Sequence, residues 1–179
     1  AALQEAKRLF RAARAGHAGT LDPLASGLLP LLFGEATKFA RFALDSDKTY
    51  EAVVRLGVTT TTGDAEGEEL ARRDVNVDDA ALHRALERFR GEIDQIPPMY
   101  SALKRGGRPL YELARQGRSV ERRARQVTVH ALELQQRDGA LLRIRLRVSK
   151  GTYVRQLAAD LGEVLGTGGY LADLRRIAV

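Results

Sequence analysis

The chain has 179 residues, with 29 lysines and arginines against 23 aspartates and glutamates and a formal net charge of +6. Hydrophobic residues make up 44% and charged residues 29%, a balance that builds one globular core and excludes disordered and collagen-like classes. The absence of cysteine removes disulfides, thiolate nucleophiles and Cys-ligated metal centres, and no apolar run approaches the ~18 residues of a membrane span, so a soluble cytoplasmic protein is expected. Lysine occurs at only five positions, so the basic side chains are mostly arginine, whose planar fork suits phosphates and stacks on bases. That balance points to a polyanionic partner, RNA or DNA.

In chain order, Leu3, Ala6, Leu9, Phe10 and Ala13 share one stripe, which predicts a helix over 2–14 ended by Gly16. Residues 16–27, GHAGTLDPLASG, hold three glycines and a proline and read as a loop. Leu28 to Phe33 is a short apolar run expected as a buried strand, and 35–44 reads as helical. Tyr50 to Leu56 is a strand of β-branched and aromatic residues, and 57–73 is a polar loop carrying Asp64, Glu66, Glu68 and Glu69. Asp78 or Asp79 caps a helix running to about Arg90, with Leu82, Leu86 and Phe89 facing inward.

Pro97-Pro98 forbids a helix at that point. The segment 94–125 reads as an exposed basic excursion with a short helix near 110–116, where Met99, Tyr100 and Tyr111 lie among Lys104, Arg105, Arg108, Arg115, Arg118, Arg122, Arg123 and Arg125. Two strands follow, joined by a hairpin at Asp138-Gly139. In the second, Leu142, Ile144, Leu146 and Val148 alternate with Arg143, Arg145 and Arg147, giving one apolar and one arginine face. A helix over 154–165 follows, and LADLRRIAV closes the chain as a strand or a helix start. Hairpins interleaved with helices predict an α+β fold: a mixed, largely antiparallel sheet flanked by helices.

Asp22 is the densest candidate for chemistry. It precedes a proline in a glycine-flanked loop, a setting that fixes a side chain at an exposed angle. A carboxylate there serves either as a nucleophile at a sugar or pyrimidine, or as a turn and cap residue. Arg155 opens a helix after SKGTY, the wrong end for a cation by the helix dipole, and beside Asp22 it would hold the acid in its charged form. Tyr50 and Tyr153 are either stacking surfaces for an extruded base or core tyrosines. His17, His83 and His130 lack ligand spacing, and a metal site on Asp64 and Glu66 is weaker than a solvated acidic loop, so no metal is expected. Phosphate-loop, dinucleotide and nucleophile-elbow motifs are absent.

The stretch GHAGTLDPLASGLLPLLFGEATKF resembles the signature of the TruB family of bacterial tRNA pseudouridine synthases. Three further blocks match in order: DKTYEAVVRLGVTTTTGDAEG, IPPMYSALKRGGRPLYELARQG, and SKGTYVRQLAADLGEVLG followed by LRR. The resemblance implies the pseudouridine synthase fold in a single catalytic domain over 1–179. Asp22 takes the place of the catalytic aspartate, Arg155 of its arginine partner and Tyr50 of the tyrosine packed on the target base. His17, Tyr153 and Leu174 match positions that contact the nucleotide. Residues 96–125 match an RNA-gripping thumb, so Lys104, Arg105, Arg108, Arg115 and Arg118 are its expected RNA contacts. The implied reaction is isomerisation of the T-loop uridine, position 55 of tRNA, by a monomer that needs no cofactor, metal or membrane. A non-catalytic RNA-binding or RNA-folding module with the same basic face is the alternative. The family's opening strand, with its LDKPxGxSS-like motif, and its C-terminal RNA-binding domain are not found in this sequence, and Gly169-Tyr170 stands where the family often has Ala-His.

Overall fold

A computed structural model describes residues 2–179, with Arg105 described by its backbone alone. The first helix, α1 (Ala2–Leu9), stops well short of residue 14. Its apolar stripe finds no core, with Leu9 and Phe10 exposed, and a helix this short needs packing to persist. Arg11 turns the chain with a left-handed φ of 46°. Gly16 therefore does not cap a helix but lies in β1 (Ala15–His17), which passes into the Asp22 loop, β2 (Ser26–Gly27) and β3 (Leu31–Phe33). β1 and β3 pair antiparallel. Only the last three residues of the expected buried strand at 28–33 are extended and paired, and all three are half-buried, because Phe33 meets Phe10 rather than the main core. A 3-10 turn (Gly34–Phe39) leads into α2 (Ala40–Asp45), filling the expected helical span.

β4 (Lys48–Leu56) begins two residues before the predicted strand. The polar loop expected at 57–73 contains a hairpin, β5 (Val58–Thr60) with β6 (Glu69–Arg72), anchored by buried Val58. α3 (Asp79–Glu87) is capped by Asp78, whose carboxylate accepts from the Ala81 amide at 2.6 Å. β7 (Gly91–Gln95) then leads into the basic excursion. There β8 (Lys104–Arg105) and β9 (Arg108–Pro109) flank Gly106-Gly107, whose φ values of 57° and 80° suit a tight hairpin turn. α4 (Leu110–Arg115) follows, with Leu110 and Leu113 buried.

β10 (Arg125–Asp138) and β11 (Leu141–Val148) form the predicted hairpin. α5 (Val154–Val164) and β12 (Gly169–Ala178) complete the chain. The main sheet has the order β2-β12-β4-β11-β10-β7 and is antiparallel except where β2 meets β12. The fold is thus α+β with a largely antiparallel sheet, as expected. α3 and α5 bury one face of the sheet, where Leu82, Leu86, Leu157 and Leu161 meet Val54, Leu132, Ile144 and Leu146. Arg143, Arg145 and Arg147 point the other way and are exposed.

The closing residues prove to be a strand, β12, lying between β2 and β4 in this sheet, rather than a helix start. Arg176 lies opposite Tyr50, and Leu174 opposite Ala52. An irregularity between Leu171 and Asp173 shifts the alternation by one residue, so that Leu171, Leu174 and Arg176 all turn toward the buried face. The parity of that strand places an arginine, rather than an apolar residue, beside the end of β4.

Candidate active site

The Asp22 loop is closed at its tip by the Ala25 amide, which donates to the Asp22 carbonyl at 2.8 Å. Asp22 and Pro23 take the first two places of that turn, where their own backbone preferences put them. The Asp22 side chain is thereby left free of capping duty, and its Oδ2 accepts from Arg155 Nη2 at 2.9 Å. Gly27 hugs the neighbouring strand so closely that a Cβ there would sit 2.2 Å from the Arg176 carbonyl oxygen.

Arg155 is 6% exposed and enters from the first turn of α5. Its Nη2 also donates to the Tyr100 carbonyl at 3.0 Å, and its Nη1 donates to the Thr62 carbonyl at 3.2 Å. On the far side Nη1 pairs with Asp64 Oδ2 at 3.1 Å. The guanidinium therefore bridges a half-buried carboxylate on the cleft floor and a second that is 2% exposed. Asp64 Oδ1 accepts in turn from the Thr62 hydroxyl and the Glu66 amide. Gly63 makes this approach feasible: a Cβ there would lie 3.3 Å from Arg155 Cγ at a φ of 75°.

Asp22 and Arg155 share a cleft of about 720 Å³ with Tyr50, Tyr153, Lys48 and Arg176. That volume falls in the ~300–1,000 Å³ range of small-molecule sites. Burial pushes the Tyr50 hydroxyl above its ordinary pKa, against the opposing influence of Arg176. Burial likewise raises Tyr153. Tyr153 is held from behind by Gln95, whose amide side chain accepts from its backbone N–H at 2.8 Å and donates to its carbonyl at 3.1 Å. Lys48 donates to the carbonyls of Ala43, Leu44 and Ser46 at 2.7–2.9 Å, closing the end of α2, and burial lowers its pKa.

The structure thus brings Asp22, Arg155, Tyr50 and Tyr153 together, and adds Arg115 at the rim, where its guanidinium lies 5.5 Å from the Tyr111 ring centre. Two expected nucleotide contacts lie elsewhere. His17 is exposed on β1, where pairing with Leu31 carries it outside the cleft. Leu174 is buried in the core by the shifted parity of β12 and does not line the cleft. Lys104, Arg108 and Arg118 are exposed on the excursion, and Lys104 lines a smaller cavity of about 400 Å³ with Arg122, Arg123 and Arg125. The Arg105 side chain lies outside the described residues.

The expectation of a solvated acidic loop fails at Asp64, because the Asp64–Leu171 bridge draws that residue inward against Arg155, while Glu66 stays exposed at the rim. The residue types around Asp64 gave one usable signal, a threonine run and Gly63 just before the acid with Gly67 three residues after it. Arg176 and Lys48 are the other contributors the linear reading does not find. Among the described residues, no group of three or more His, Asp or Glu is placed to hold a metal ion, and no helix is long and apolar enough to cross a membrane.

Comparison with known proteins bears on this arrangement. The model of the TruB family pseudouridylate synthase N-terminal domain matches residues 7–154. A tRNA pseudouridine synthase B from Azoarcus sp. (strain BH72) is 62% identical over 178 residues, covering 99% of this chain and 59% of that protein. Among solved structures, a Cbf5-Nop10-Gar1 complex aligns with a TM-score of 0.74 at 29% identity, over 98% of this chain and 43% of the matched chain. An H/ACA RNP bound to a substrate RNA containing 2′-deoxyuridine aligns at 0.70 and 26% identity, over 98% of this chain and 41% of that one. The chain spans 57–59% of the length of the curated relatives it matches. With the family model spanning most of the sequence and the acid–arginine pair set in a cleft at the end of an antiparallel sheet, the chain belongs to the TruB family of pseudouridylate synthases.

Proposed function

We propose that this chain carries the catalytic machinery of a tRNA pseudouridine synthase that isomerises the T-loop uridine. The observation that carries the proposal is the 2.9 Å contact between Arg155 and Asp22 on the floor of an open cleft. Uridine isomerisation breaks the bond from C1′ to N1, turns the base, and joins C1′ to C5; C5 loses its proton and N1 gains one, so the product is an isomer of the substrate. It has no redox change and needs a charged nucleophile held at fixed geometry against an extruded nucleotide. Arg155 holds the Asp22 carboxylate by charge and by a directed hydrogen bond.

Extruding the base costs a few kcal/mol. Stacking on an aromatic side chain returns ~1–3 kcal/mol, and phosphate contacts from the exposed arginines of 104–125 offset the rest. Tyr50 is the candidate platform. Burial raises its hydroxyl, so at neutral pH it is a phenol and contacts the base before it moves any proton. Attack at C6 of the base and attack at C1′ of the sugar both fit the position of a single carboxylate on the floor.

The test is a product assay on the full chain with a T-loop hairpin labelled with tritium at C5 of uridine. Tritium release with formation of pseudouridine is expected. Tight RNA binding with no release in any tRNA substrate would instead support a binding or folding module. Free uracil as the product would point to a nucleoside glycosidase.

A further inference from the structure

Arg176 is 1% exposed and is the largest of the fully buried side chains, yet its hydrogen bonds go to carbonyl oxygens and not to a carboxylate. Nε donates to the Leu28 carbonyl at 2.7 Å, and Nη2 donates to the Gly19 carbonyl at 3.1 Å. These two carbonyls bracket the loop that carries Asp22. The Arg176 backbone adds a third tie, accepting from the Leu28 amide at 2.8 Å, where β2 joins β12. On the other flank Arg176 lies directly opposite Tyr50 in the β4–β12 register, with its guanidinium against the Tyr50 hydroxyl. Its side chain forms part of the cleft wall.

A buried cation is costly, and carbonyls alone repay less of that cost than a carboxylate does. A strand that needed only packing at this position would be served by leucine or methionine. What a guanidinium adds is a rigid fork, which fixes two loop ends and one hydroxyl relative to one another. We propose that Arg176 is a positioning residue for the isomerisation, clamping the Asp22 loop at Gly19 and Leu28 and orienting the Tyr50 hydroxyl, so that nucleophile and base platform share one rigid reference. The proposal rests on the functional reading above for its kinetic consequence, but the clamp itself is testable without it.

The experiment compares Arg176→Lys, Arg176→Met and Gly19→Ala in the full chain. Gly19→Ala approaches the clamp from the opposite side, since its Cβ would lie 3.3 Å from Arg176 Nη1, and it leaves the arginine in place if the Arg176 variants do not fold; because Gly19 has a φ of 93°, alanine strains the loop by itself, so this variant is read by the Tyr50 titration alone. Three readouts are taken: hydrogen exchange of amides 18–28, spectroscopic titration of the Tyr50 phenol against a Tyr50→Phe control, and single-turnover pseudouridine formation beside RNA affinity. Arg176→Met is expected to speed exchange in the loop and to raise the Tyr50 titration further, because the cation that favours the phenolate is gone. The single-turnover rate should fall about 100-fold with RNA affinity changed less than about threefold, as expected when reacting groups are misplaced but the binding surface is kept. Arg176→Lys should recover part of the Tyr50 titration and little of the rate. Unchanged loop exchange and an unchanged Tyr50 titration in folded Arg176→Met, or an unchanged Tyr50 titration in Gly19→Ala where Arg176→Met does not fold, overturn the proposal. An inactive wild-type chain that still shows both changes overturns the functional reading and leaves the clamp standing.

Discussion

Arg155 is surrounded by more acceptors than one ion pair requires, and this gives Asp64 a defined part. It occupies Nη1, so that Nη2 is left for Asp22 and the Tyr100 carbonyl. Asp64→Asn keeps the shape and removes the charge. We expect the rate of product formation to fall about 10–100-fold with RNA affinity held, and urea unfolding to register a loss of ~1–3 kcal/mol from the weakened buried contact. The two cleft phenols add a pH signature. In the unfolded chain they ionise near 10, while in the folded chain burial keeps them protonated to higher pH. Below pH 10 both states hold the proton and nothing changes. As pH rises from 10 through the folded values, each phenol should subtract up to about 1.4 kcal/mol per pH unit. Urea unfolding of wild type and Tyr50→Phe at pH 9 and 10.5 checks this: the wild type should lose more stability than the variant over that interval.

Among the elements, strands and helices with an unbroken apolar period were readable in advance. β11 alternates without interruption, and α3 and α5 carry their stripes where the sequence puts them. Asp22 and Arg155 were legible as candidates, because a carboxylate before proline and a cation at a helix start are both locally unusual. What resisted reading depends on distant contacts. α1 has a good stripe but no core to receive it, and β12 hides its importance behind one irregular residue. Asp64 looks solvated until the 57–72 hairpin folds back on Leu171. These are cases in which tertiary pairing decides between local options of similar energy. For α5 the packing is decisive, since Leu161 is wholly buried between sheet and helix. Leu161→Ala should cost ~2–5 kcal/mol by thermal or urea unfolding, and through α5 it should loosen Arg155 as well.

For the molecule as a whole, the +6 charge becomes functional only through its placement. The exposed Arg108 and Arg118 sit on an excursion joined to the cleft at Tyr100 and Gln95, and under the proposed function they are its RNA contacts. Arg108→Gln with Arg118→Gln should weaken T-stem-loop binding and lower the slope of log affinity against log salt by roughly 2, with single-turnover chemistry at saturating RNA preserved. The proposed reaction gives the Asp22 carboxylate the part of nucleophile. Single-turnover pseudouridine formation by Asp22→Asn, measured with a T-stem-loop RNA at concentrations where binding is shown to be saturated, addresses it most directly. Product at or below detection with RNA affinity within threefold of wild type is predicted; product formed at the wild-type rate would contradict a nucleophilic role for Asp22.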